Sequence, residues 1–200
     1  KFIALDVAKG DLLEAGVNKA GEKYDYTPDN WQLDKYVDMS NVYCAIYSEE
    51  LCGYMAGYAA VRLGYKNLGF LGGMAVPAVM RYGYGFVQGV NAAADELKLT
   101  DVKVNYVYGG QFSGDADITA VMDTWYQCGT EVVFACGGGI YTSAVDAAKK
   151  VEGAKVIGVD VDQAGVIAKY AAGEGADQAT IDSFKALTVT SAMKGLYPAT

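Results

Sequence analysis

Histidine is absent from the 200 residues of this chain, which removes the commonest metal ligand and the usual general base near neutral pH. Ser-His-Asp and Cys-His nucleophile systems are excluded with it, as are zinc-hydrolase sites. No Lys/Arg cluster occurs and the net charge is −8. Nucleic-acid binding draws most of its non-specific affinity from phosphates neutralised on a basic face, so no nucleic-acid partner is expected and no DNA-binding head lies in this segment. No window approaches the ~20 apolar residues that span a bilayer, and no charged n-region runs into an apolar h-region. The four cysteines, Cys44, Cys52, Cys128 and Cys136, lack C-x-x-C spacing. Cys44 and Cys136 sit inside apolar runs, where a thiol serves as a small hydrophobe, although spacing alone leaves a Cys44–Cys52 disulfide open. The chain opens on Lys1-Phe-Ile-Ala-Leu-Asp6, a strand already in course without an initiating Met, and Thr200 falls soon after a helix has started. The expectation is a segment of a longer protein, for which the missing leader says nothing about location.

What is present is a large core. About half the residues are apolar, 52%, enough for one large domain or a domain and a half. Strand patterns fall at Phe2 to Asp6, Val42 to Tyr47, Asn67 to Leu71, Val102 to Tyr108, Glu131 to Cys136, Val156 to Val161 and Leu187 to Thr190. Most are continuous apolar runs, as expected of strands covered on both faces. Amphipathic helical patterns lie between them, clearest at Val79 to Leu97, Ile118 to Tyr126 and Tyr141 to Val151. This alternation predicts an α/β fold with a parallel, doubly wound sheet. One stretch breaks the rhythm: Gly21 to Ser40 is polar, aromatic and turn-rich around Thr27-Pro28-Asp29-Asn30. It reads as an inserted surface loop that packs through Tyr24, Tyr26, Trp31 and Tyr36 rather than contacting a ligand.

The strand ends carry the chemistry. Gly72-Gly73-Met74, Tyr108-Gly-Gly-Gln-Phe112, Cys136-Gly-Gly-Gly139, Asp160-Val-Asp-Gln163 and Thr190-Ser-Ala-Met-Lys194 each follow a strand pattern. In a parallel sheet these ends share one edge, where ligands bind, and glycine there lets backbone approach a ligand closely. Tight βα turns explain any single glycine pair, but five decorated edges are harder to explain so. Likewise a helix cap accounts for one of Asp160 and Asp162, not for both. Phe112 lies beyond its strand and outside the sheet's core, either to stack on a planar ligand or to plug the base of a loop. Lys194 either pairs with Asp160 or lies on a solvated helix face. Three tempting motifs fail: Gly83-Tyr-Gly85 lies inside a helical pattern, Gly137 to Gly139 lacks the later glycine of a dinucleotide site, and Ser191-x-x-Lys194 lacks the companion elements of a β-lactamase. No phosphate loop of the Gly-Lys-Ser/Thr kind is present.

Taken in order, Asn41-Val42, Glu50 with Gly53-Tyr-Met-Ala-Gly57, Leu68-Gly-Phe-Leu-Gly-Gly-Met74 with Pro77, Gly85-Phe86 with Gly89, Tyr108 to Phe112, Gly137-Gly138, Val156-Ile-Gly-Val-Asp-Val-Asp-Gln163 and Thr190-Ser-Ala-Met-Lys194 form an ordered set. This set resembles the basic membrane protein family, the purine-nucleoside-receptor-like substrate-binding lipoproteins of bacterial ABC transporters. The resemblance implies a type I periplasmic-binding fold of two α/β lobes, with residues 1 to about 48 ending an incomplete first lobe and about 49 to 200 forming most of the second. It further implies five ligand-binding residues: Asp6, Phe112 stacked on a base, Gly137 near the base, and Asp160 with Lys194 on ribose hydroxyls. A carboxylate that accepts from vicinal hydroxyls, a lysine that donates back and an aromatic π face suit a neutral nucleoside, which needs no cofactor or metal. The implied partners are a nucleoside-like small molecule and a transporter permease. The implied location is extracytoplasmic, at the cell surface or in the periplasm, held to the plasma membrane by a lipid anchor upstream of Lys1. An incomplete first lobe should leave apolar surface uncovered, so this segment alone is expected to associate or to bind more weakly than the full protein. Two rivals share the fold class: an α/β enzyme using Asp160 and Asp162 as acid/base or Mg²⁺ ligands, and the effector-sensing core of a transcription regulator.

Overall fold

The computed structural model describes residues 1–25 and 27–195. Its contacts divide the chain into two compact units, Lys1–Tyr47 and Ser48–Thr200.

In the first unit, strands β1 (Phe2–Leu5) and β2 (Val42–Ala45) pair in parallel, with Phe2 opposite Val42 and Leu5 opposite Ala45. Helix α1 (Lys9–Lys19) follows β1, and the short helix α2 (Leu33–Tyr36) precedes β2. The turn-rich segment between the helices folds upon itself. The Trp31 indole N–H donates to the Asp25 carbonyl at 2.8 Å, and the Asp25 carboxylate accepts from Thr27 N and the Asn30 amide. Gly10 of α1 lies under the Trp31 and Tyr24 rings, and Gly16 under Tyr36; a Cβ on Gly10 would stand 2.6 Å from the Trp31 ring. Three of the four predicted aromatics therefore pack, as expected of a loop with no sheet to lean on, while Tyr26 lies outside the described residues. Phe2, Ile3 and Tyr43 of the two strands are exposed.

The second unit is a five-stranded, wholly parallel sheet in the order β4-β3-β5-β6-β7: β3 (Asn67–Gly72), β4 (Lys103–Tyr108), β5 (Val132–Cys136), β6 (Lys155–Asp160) and β7 (Thr188–Met193). Helices α3 (Glu49–Arg62) and α4 (Pro77–Leu97) cover one face, and α5 (Ala116–Gln127), α6 (Tyr141–Ala148) and α7 (Ala164–Ala172) the other; α8 (Gln178–Phe184) leads into β7. Successive side chains of a strand point to opposite faces. On β5, Val132, Phe134 and Cys136 accordingly join the core under α3 and α4, while Val133 and Ala135 join that under α5 to α7. Two-sided burial is why these strands read as unbroken apolar runs.

Helices α3 and α4 approach at backbone distance. Gly53 and Gly57, one turn apart on α3, face the Tyr82 and Phe86 carbonyls, while Gly85 and Gly89 on α4 face the Glu50 and Tyr54 carbonyls. A Cβ on any of the four would collide with the facing backbone. This seam fixes the start of α3 against the first turns of α4, and so sets the position of everything those turns carry.

All seven predicted strands are present, but β7 runs to Met193 rather than ending at Thr190. Ser191, Ala192 and Met193 are therefore ladder residues opposite Gly158, Val159 and Asp160, and only Lys194 stands beyond the strand. Small residues on an edge strand carry no long apolar run, so the pattern alone ended the strand early. The helix expected to begin before Thr200 lies outside the described residues. All four cysteines are free thiols, Cys136 fully buried and Cys128 exposed.

Candidate functional site

Because the second sheet is wholly parallel, the carboxyl ends of its five strands share one edge. Two clusters are built there.

The first is a seat for Phe112. Beyond β4, Gly109 N donates to Gly72 O at 2.8 Å and Gly110 N to Gly73 O at 3.0 Å, while Gly73 N donates to Cys136 O at 2.9 Å. The three strand ends are thus laced together past the ladder. The Phe112 carbonyl accepts from Gly139 N at 2.7 Å, and its ring lies against Gly73 and Gly137. A Cβ on either glycine would fall 2.5 or 2.9 Å from Phe112 Cδ1. Gly137 also has φ +149° and Gly138 φ +44°, a backbone region that side chains rarely enter. Glycine backs the ring on one side, and Phe112 as a residue remains 41% exposed. Phe112 thus closes the base of its loop, the second of the two readings its sequence position offered.

The second cluster surrounds Asp160, the last residue of β6, which has φ 66°. This left-handed conformation is uncommon outside glycine and best tolerated by Asn and Asp. It turns the side chain off the ladder. Tyr82, on the buried face of α4, donates its hydroxyl to Asp160 Oδ1 and to Ala192 O, both at 3.2 Å. The Lys194 backbone N–H donates to Asp160 O at 3.0 Å, and its Nζ lies 3.4 Å from Asp160 Oδ1 and 3.6 Å from Glu49 Oε1. Glu49 opens α3, is fully buried, and meets Arg81 Nε through Oε2 at 2.6 Å. Two cations and two carboxylates thus interleave. Burial first, and the Asp160 charge second, push the Tyr82 hydroxyl well above its ordinary range, so it stays a donor. Burial likewise pushes the Cys136 thiol up.

Asp160 and Asp162 have separate tasks. Asp162 Oδ1 accepts from Ala164 N at 3.1 Å, at the start of α7. Gln163 turns inward: its Oε1 accepts from Val159 N at 2.8 Å, and its own N–H donates to Ser191 Oγ at 3.1 Å. Asp162 is therefore engaged at the start of α7, whereas the Asp160 carboxylate stays 36% exposed.

Of the five predicted ligand residues, the structure brings Asp160 to Lys194 and Phe112 to Gly137, all on one sheet edge. Asp6 belongs to the first unit, where it directly follows β1 with its N–H on Ala45 O at 2.8 Å and φ 60°. It repeats the backbone conformation of Asp160 at an equivalent place, a strand's carboxyl end. Glu49, Arg81 and Tyr82 were not singled out from the sequence. Ser48-Glu49-Glu50 carried a helix-start signal, but no local pattern reveals that the first glutamate is buried. A polar groove of about 380 Å³ between α5 and α6 is no rival, since its groups bond one another: Ser143 Oγ takes Asp115 N and the Thr119 hydroxyl, and Lys150 takes Asp123.

Comparison with known proteins then decides the family. A family model described as Bmp, ABC transporter substrate-binding protein PnrA-like, matches residues 26–187. The chain belongs to that family. An ABC transporter nucleoside-binding protein, BmpA of Lactococcus lactis subsp. cremoris, is 33% identical over 148 residues, covering 70% of this chain and 40% of that protein. Basic membrane protein B of Borreliella burgdorferi is 29% identical over 126 residues, 62% of this chain and 35% of that one. The match of this Bmp-family chain thus covers less than half the length of either relative. A solute-binding protein of an ABC transporter system from Aeropyrum pernix K1 superposes with a TM-score of 0.56 at 19% identity, over 80% of this chain and 40% of that one. At that identity the likeness speaks for the fold alone: mixed α/β with parallel sheets, of the type I periplasmic-binding kind.

Proposed function

We propose that this chain is part of an extracytoplasmic solute-binding protein that captures a nucleoside, most simply a purine nucleoside, and delivers it to an ABC-transporter permease without chemical change. The observation that carries the reading is Asp160, held in a left-handed conformation at a strand end with Oδ1 bound by Tyr82 and Lys194 while its carboxylate remains partly open. Among the described residues Oδ2 accepts no hydrogen bond, which leaves it for ligand hydroxyls.

On this reading Asp160 and Lys194 take the ribose hydroxyls, Phe112 stacks on the base with Gly137 beneath it, and Asp6 contributes from the first lobe. Residues 1–48 end that lobe and 49–200 form the second; the division of contacts after Tyr47 supports this map. A hinge motion closes the two lobes on the ligand, biased by contacts from both sides. The printed name of the Lactococcus relative, a nucleoside-binding protein, supports the ligand class, and family membership supports a permease partner and a lipid anchor upstream.

The test is a thermal-shift screen of the full-length protein with purine and pyrimidine nucleosides, free bases, pentoses and hexoses, repeated on Asp160→Ala. A ligand that binds only the folded state must raise the melting point. Stabilisation by nucleosides that disappears in the variant is expected. No shift with any nucleoside, or one that the substitution leaves intact, defeats the proposal.

A further inference from the structure

Resting on that reading, we propose that Glu49 is the positioning residue of Lys194: its buried carboxylate holds the ammonium between two negative groups, so that Asp160 and Lys194 meet ligand hydroxyls in one fixed arrangement.

Glu49 is fully exposed to nothing but protein. Its Oε2 is committed to Arg81 Nε at 2.6 Å, while Oε1 accepts no hydrogen bond and faces Lys194 Nζ at 3.6 Å. At that distance Oε1 acts on the ammonium through charge rather than as a formed hydrogen bond. Arg81 keeps the carboxylate from swinging toward the lysine, so Nζ rests closer to Asp160, at 3.4 Å. The Lys194 side chain is only 6% exposed, in keeping with a flexible stem held at its far end. Glu49 is also the first residue of the 14-residue helix α3, where the helix dipole favours a carboxylate.

Stability alone does not account for such a group. A buried ion pair is often no better for stability than an apolar substitute of the same shape, whereas a fully connected polar network fixes one arrangement. The arrangement fixed here is that of the two groups assigned to the ribose. With the Glu49 charge removed, Lys194 has one fewer counter-charge and draws Asp160 toward itself. The carboxylate then presents less of its acceptor capacity to a ligand.

The test uses the full-length protein and Glu49→Gln, which keeps shape and removes charge. Calorimetric titration with adenosine should show about a tenfold loss of affinity, the order of one hydrogen bond to a charged group. 2′-Deoxyadenosine, with one hydroxyl fewer to misplace, should lose clearly less. A purely structural role would weaken both ligands equally, and that outcome overturns the proposal. A ligand-free arm separates this failure from failure of the nucleoside reading. The rate of reductive methylation of Lys194, read by mass spectrometry against the exposed Lys98, should rise in Glu49→Gln. An unchanged rate refutes the positioning role even if no nucleoside binds. Should Glu49→Gln fail to fold, Glu49→Asp, which keeps the charge but withdraws it by one methylene, is expected to raise the rate by a smaller amount, and no rise there counts equally against the proposal.

Discussion

The Tyr82 hydroxyl lies 3.2 Å from Asp160 Oδ1 across 78 residues of sequence, joining the buried face of α4 to the open end of β6. Burial and the neighbouring carboxylate both disfavour the phenolate, so the folded protein holds this proton well past the pH at which a free tyrosine loses it. Tyr126 is shifted the same way, chiefly by burial. The unfolded chain releases these protons near pH 10 while the folded one keeps them, so above that pH the unfolded state binds fewer protons and stability falls as pH rises. Urea unfolding between pH 8 and 11 should therefore show a loss of stability that begins at about pH 9, where the unfolded Cys136 thiol releases a proton that the folded protein keeps, and that steepens beyond about pH 10. Spectrophotometric titration should find at least Tyr82 and Tyr126 silent until the fold is lost. A normal titration of all tyrosines in the folded protein would contradict the buried placement.

The conformation of Asp160 predicts a difference between two substitutions that both remove its charge. At φ 66° Asn is nearly as well tolerated as Asp, whereas Ala meets the Cβ strain of the left-handed region, about 1 kcal/mol. Asp160→Asn should therefore unfold at a higher urea concentration than Asp160→Ala, since both lose the charge facing Lys194 and only Ala adds the strain. Both should weaken nucleoside binding. Equal stabilities would show that the strain is absent.

At Gly137, φ +149° and the Phe112 ring 2.9 Å from a would-be Cβ act together. Gly137→Ala must either enter a strained backbone region or push the ring off its seat, a cost of about 1–3 kcal/mol. Binding should suffer more than the fold, because the displaced ring is the proposed stacking surface, and a nucleoside should lose more affinity than a free pentose. Paired calorimetric titrations with the two ligands check this; equal losses would detach Phe112 from base recognition.

The strands were legible because burial on both faces writes itself as continuous apolar runs, as in Val132–Cys136. The strand-end glycines and Asp160 were legible for a related reason: where a run stops, whatever follows has left the sheet. The charged cluster was not. Glu49 meets Arg81 32 residues away and Lys194 far later still, and no local periodicity encodes a partner at that range. Tyr82 read as one more apolar member of the α4 stripe with Val79 and Phe86, since a pattern of hydrophobic spacing cannot say that a hydroxyl reaches past the core to a carboxylate. The Gly53/Gly57 and Gly85/Gly89 pairs were visible as residues of a family pattern, but their physical purpose, two helices touching backbone to backbone, needed the structure.

Asp162 provides the sharpest contrast with Asp160, two positions away on the same loop. Its Oδ1 holds Ala164 N at 3.1 Å, a local bond that satisfies one of the orphan donors at the start of α7. Asp162→Ala should cost about 1 kcal/mol, the usual worth of such a contact, seen as a lower urea midpoint with an unchanged slope. It should leave nucleoside affinity as it is, because the carboxylate is engaged with its own helix rather than with the strand edge. If Asp162→Ala instead abolished binding while sparing stability, the two carboxylates would have to be acting as a pair, and the rival reading of a carboxylate enzyme would regain its basis.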